Sequence, residues 1–80
     1  MGTWNIRILH NVYPDGEHEF FPAEVYYSDD MATEPNGYTD HKVAAESIDD
    51  LKWYAREVLK ACDRPTLESG DAFPLVFDPA

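Results

Sequence analysis

SIDDLKWYAREVLKAC, residues 47–62, is the stretch whose periodicity decides the fold. Ile48, Leu51, Ala55, Val58, Leu59 and Cys62 recur every three or four positions, so they form one apolar stripe with Tyr54 on its flank. A strand would need alternation by two; the spacing therefore predicts an amphipathic helix over Ile48–Cys62. Ser47 offers a hydroxyl to the free amides of the first turn, and Asp49 and Asp50 sit at the positive end of the dipole. Lys60 and Arg64 suit the negative end, and Pro65 stops the helix.

Upstream the period changes to two. Trp4, Ile6, Ile8 and His10 alternate with Thr3, Asn5, Arg7 and Leu9, which predicts a strand over Thr3–His10. Tyr13-Pro14-Asp15-Gly16 is a turn signal, and a second strand follows over Glu19–Tyr27. There Phe21, Ala23, Val25 and Tyr27 oppose Phe20, Pro22, Glu24 and Tyr26, and Glu24 is expected near Arg7 across the turn. Pro22 fits an edge or a bulge. A weaker third strand is expected over Tyr38–Ala45, at the sheet edge.

A sheet and a helix with one apolar surface each bury both by packing together. The expected class is α+β: a three-stranded antiparallel sheet on one C-terminal helix (β-β-β-α), a two-layer sandwich. Residues 1–65 form this single domain. Residues 66–80 form an apolar tail, carrying Leu67 and Phe73-Pro74-Leu75-Val76-Phe77, that packs on the domain or on a partner.

W-N-x-R at Trp4–Arg7, E-V-Y-Y at Glu24–Tyr27, G-Y-T-D at Gly37–Asp40 and E-S-I-D-D-L at Glu46–Leu51 resemble a group of short uncharacterised bacterial proteins. The resemblance covers residues 4 to about 67. It supports the fold and implies no activity.

Several chemistries fit the residues poorly. Asp29, Asp30, Glu34 and Asn36 share a loop, but without the alternate acids, sixth-position Gly and twelfth-position Glu of a calcium hand. One cysteine and His10, His18 and His41 give no zinc spacing; His10 and His41 read as strand residues at the core margin and His18 as a turn residue. Cys62 lies on the apolar stripe, where a thiol is inert, and Ser47 is occupied by capping. No phosphate loop or catalytic constellation is present, so the expectation is no enzyme, no cofactor and no metal. The absence of a basic leader, a 20-residue apolar run and paired cysteines leads to the expectation of a cytoplasmic chain.

Charge supplies the functional signal. The net charge is −10 over 80 residues, and eleven acids against the single base Lys42 place the whole excess between Asp15 and Asp50. Such a field repels nucleic acid and anionic membranes and attracts basic surfaces. Asp15, Glu17 and Glu19 alternate, so an extended chain would align their carboxylates at ~7 Å steps. Tyr26 and Tyr38 are expected on the sheet face away from the helix. Trp53 is expected opposite the apolar stripe, covered by the tail or left exposed as an interface anchor.

The candidate partner-binding residues are therefore Glu17, Glu19, Glu24, Tyr26, Asp29, Asp30, Glu34, Tyr38, Asp40 and Trp53. They suit a non-enzymatic acidic protein that binds a basic protein surface, such as a nucleic-acid-binding complex, and blocks it. In size and charge this is similar to phage-encoded inhibitors such as anti-CRISPR proteins. A regulatory or dimerisation module using a sheet edge is the alternative, and a homodimer fits either reading.

Overall fold

The computed structural model describes residues 2–40 and 46–78. Its elements are β1 (Thr3–Val12), β2 (His18–Tyr27), β3 (Pro35–Asp40), α1 (Ile48–Cys62) and β4 (Leu67–Glu68), followed by one 3-10 turn, Gly70–Ala72. The strand order is β3-β2-β1-β4. The α+β class and the single helix hold. The sheet, however, is mixed and four-stranded rather than three-stranded and antiparallel, because β4 pairs in parallel with β1 at Leu9↔Leu67 and His10↔Glu68. β3 begins earlier than its expected Tyr38, and the expected strand residues His41 to Ala45 lie outside the described residues.

The β1–β2 hairpin is regular, with Leu9↔Phe21, Arg7↔Ala23 and Ile6↔Glu24 in register. Directly opposed residues point to the same side, which fixes both faces. Leu9, Ala23, Val25 and Tyr27 share one face and form a core with Leu67, against which Phe21, Ala32, Tyr38 and Phe73 pack. Ile6 lies on the other face beneath Tyr54 and Ala61, with Ile8 and Val58 beside it. The sheet is thus apolar on both sides. The helix covers part of one face, where Phe77 also lies over His10 and Phe20, and Phe73 with the 28–34 loop covers part of the other.

The expected Arg7–Glu24 contact is absent, because the two residues sit on opposite faces. Arg7 donates instead to the Tyr27 hydroxyl at 3.0 Å and to the Pro65 carbonyl at 2.7 Å.

The helix bounds agree with the periodicity, and Ser47 Oγ accepts from the Asp50 amide at 3.1 Å. Its buried side does not agree. Tyr54 and Ala61 are buried and Val58 half-buried, whereas Ile48, Leu51, Ala55, Leu59 and Cys62 are exposed. At ~100° per residue the helix is rotated by roughly 90° from the expected orientation. Ala61, with no side chain beyond Cβ, permits close approach to β1, while Arg64 donates to the Ile6 carbonyl at 3.3 Å. Tyr54 then supplies the ring that covers Ile6.

Beyond Pro65 the chain returns to the sheet. Leu67 bridges to Val76, the Glu68 amide donates to the Leu75 carbonyl at 2.7 Å, and the Phe77 amide donates to the Thr66 carbonyl at 2.8 Å. No helix among the described residues is long and apolar enough to cross a membrane.

Candidate functional site

The hairpin turn sets the position of the first acids. The Gly16 amide donates to the Tyr13 carbonyl and the Tyr13 amide to the Glu17 carbonyl, both at 2.9 Å, with Gly16 at φ +92°. Asp15 folds back so that its carboxylate accepts from the Glu17 amide at 3.0 Å. Asp15 and Glu17 are therefore turn residues, and the expected extended row of three carboxylates does not form. A local Asx bond satisfies the turn better than extension would.

Glu19 is the first of these acids on a strand. It opposes Asn11 and lies on the face away from the helix, where a pocket of about 450 Å³ is lined by Asn11, Glu19, Phe21, Tyr38, Ser69 and Gly70. Tyr38 stands 4.9 Å from Phe73, ring centre to ring centre, and its hydroxyl accepts from the Gly70 amide at 2.8 Å. The C-terminal segment thereby closes one wall of the pocket. A hydrogen bond to Glu19, followed by desolvation and the Glu19 charge, raises the Tyr13 phenol above its ordinary value.

The remaining predicted residues are dispersed. Tyr26 opposes Trp4 and so lies on the helix side of the sheet, not beside Tyr38 as expected. The odd and even residues of β2 face opposite ways, and Tyr38 opposes Val25 in the neighbouring ladder. Tyr26 donates to Glu24 at 2.8 Å, and that bond is the main cause raising its phenol.

Asp29 is tied into its own loop. Its carboxylate accepts from the Thr33 hydroxyl at 2.5 Å and from the Thr33 and Glu34 amides, each at 3.0 Å. The Thr33 hydroxyl is the largest cause holding its carboxyl below the usual range, with both amides adding to it. Ser28 donates to the Glu34 carboxylate at 3.0 Å, while Asp30 is exposed beside them. Asp40 pairs in register with Ala23. Trp53 is 45% exposed, and the nearby-ring contacts of the C-terminal segment go to Tyr38, His10 and Phe20 instead.

Hairpin acids and loop acids also sit at opposite ends of β2, a ten-residue strand about 30 Å long at ~3.4 Å per residue. The candidate residues thus do not converge: the hairpin and loop acids lie at two poles, Tyr26 and Tyr38 on two faces, and Trp53 on the helix. Glu19 and Tyr38 are the pair that the fold brings together in a concavity.

A second cluster was hidden in the sequence. His10 is 3% exposed; its Nδ1 lies 2.6 Å from Glu68 Oε1 and its Nε2 lies 2.7 Å from His18 Nδ1. With Glu68 ionised, Nδ1–H donates to the carboxylate, and Nε2 accepts from His18 Nδ1–H. Phe77 lies over the His10 ring at 4.1 Å. The hairpin register places His10 and His18 as diagonal neighbours, with His18, expected in the turn, standing instead at the start of β2. Glu68 arrives only through β4. The Ser69 hydroxyl, next in the chain to Glu68, donates to the His10 carbonyl at 2.8 Å. Among the described residues no group of three or more His, Cys, Asp or Glu is able to hold a metal ion.

Cys62, expected to be buried, is an exposed free thiol because of the helix rotation. Comparison of the chain with family descriptions, curated proteins and solved structures finds no significant match.

Proposed function

We propose that this chain is a non-enzymatic acidic interaction protein that docks on a basic protein surface and thereby keeps nucleic acid off it. The observation that carries this reading is the pocket on the helix-free face, where Glu19 stands with the aromatic rings of Phe21 and Tyr38 and with Asn11 and Ser69. A lysine or arginine side chain suits such a lining, since the carboxylate pairs with its charge and the rings accept its stem or guanidinium plane. The net charge of −10 steers a basic surface toward it.

Glu17 and Asp15 at the neighbouring turn extend the same acidic pole. Asp29, Asp30 and Glu34 form a second pole, so a partner either reads one end or spans the length of β2. The test is capture of nucleic-acid-binding complexes from a bacterial lysate over a salt series, with Glu19→Lys as the paired variant. Low-salt capture that added DNA or RNA displaces, and that the variant loses, supports the reading. Capture indifferent to all three rejects it.

A further inference from the structure

The five apolar side chains that the helix rotation leaves outside the core have an order of their own. Ile48 and Leu59 are each 68% exposed, and Leu51, Ala55 and Cys62 are exposed with them. At ~100° per residue they fall within an arc of about 80°. Their spacing along the chain, three, four, four and three, reads the same in both directions about Ala55.

That symmetry is what an isologous contact requires. A two-fold axis at Ala55 sets Ile48 of one copy against Cys62 of the other and Leu51 against Leu59, each pair occurring twice. The small Ala55 at the centre lets the two backbones approach. Charge favours the same direction: Asp49 and Asp50 open the helix, and Arg56, Lys60 and Arg64 close it. Antiparallel placement sets the acidic first turn of one copy beside the basic last turn of the other and opposes the two macrodipoles, whereas parallel placement sets like ends together.

We propose that α1 is a homodimer seam, in which two copies pair antiparallel through Ile48, Leu51, Ala55, Leu59 and Cys62 with the two-fold axis at Ala55. This contact is separate from the acidic pocket and does not depend on any basic partner.

Sedimentation velocity over a concentration series tests it. The native chain is expected to pass from 9.2 kDa to twice that mass, and Leu59→Glu to weaken association by about tenfold or more, the order set by burying an unpaired charge, with its far-UV circular dichroism unchanged. Asp49→Lys and Lys60→Glu should each weaken association by roughly threefold, and the double exchange should recover it. Ala55→Cys with Cys62→Ser should oxidise to a disulfide-linked dimer, while native Cys62 should not, because the antiparallel axis holds the two thiols ~21 Å apart along the helices.

A monomer at every concentration would overturn the proposal. So would cross-linking through Cys62 but not position 55, or unfolding of Leu59→Glu, which would mean that Leu59 is covered within its own chain.

Discussion

His10 Nδ1 lies 2.6 Å from Glu68 Oε1, although 58 residues separate them along the chain. This pair fastens β4, two residues long, to the end of β1, and it satisfies one nitrogen of a buried imidazole. Glu68→Ala leaves that nitrogen without its acceptor and should cost about 1–3 kcal/mol. Urea denaturation reads the loss directly. Equal midpoints for variant and native chain would show that β4 is held by its backbone pairing alone.

The rotated helix makes a second prediction from two alanines. Ala61 is fully buried and Ala55 exposed. Ala61→Leu overfills the contact with Ile6 and should destabilise the fold by about 1–3 kcal/mol. Ala55→Leu should leave monomer stability within about 0.5 kcal/mol. Thermal melts at low concentration compare them, and the reverse order would mean that the helix presents its apolar stripe to the sheet.

Burial pushes the Tyr54 phenol above its ordinary value of 10.0. The folded state therefore favours the neutral phenol, and this contribution is complete below pH ~10 and lost as pH rises through the folded value. Tyr54→Phe should flatten the decline of stability as pH rises above ~10. An unchanged slope would assign the alkaline loss to other groups.

Asp29 titrates in the opposite sense. Its carboxyl lies below the ordinary 3.8, chiefly through the Thr33 hydroxyl. The contribution is present above that ordinary value and disappears as pH falls through the lower, folded one. Asp29→Ala should loosen the loop at neutral pH, seen as faster amide exchange at Thr33 and Glu34, whose amides it holds. Exchange at native rates would show that the Ser28–Glu34 bonds close the loop unaided.

Much of this fold was legible in the sequence because it is local. Ser47 and Pro65 bracket the helix, and Pro14-Asp15-Gly16 marks the hairpin. What was not legible depends on distant packing. A two-residue parallel strand carries no period, and α1 carries two candidate faces, of which the sheet selected the one with Tyr54 and Ala61. The site divides in the same way: Tyr38 falls on the helix-free face expected of it and Tyr26 does not, while the pocket wall built by Ser69 and Gly70 comes from the C-terminal segment, whose path carries no local signal. Asp15 and Asp29 looked like free carboxylates, and each is bonded to nearby amides, which composition alone cannot reveal.

The central claim is that an acidic pocket captures a basic protein surface in competition with nucleic acid. The direct measurement is the amount of nucleic-acid-binding complex that the immobilised chain retains from lysate, with and without added DNA or RNA, at low and high salt. Retention at low salt that falls with nucleic acid, with salt and with Glu19→Lys is the predicted result. Retention that survives all three, or none under any condition, would contradict it.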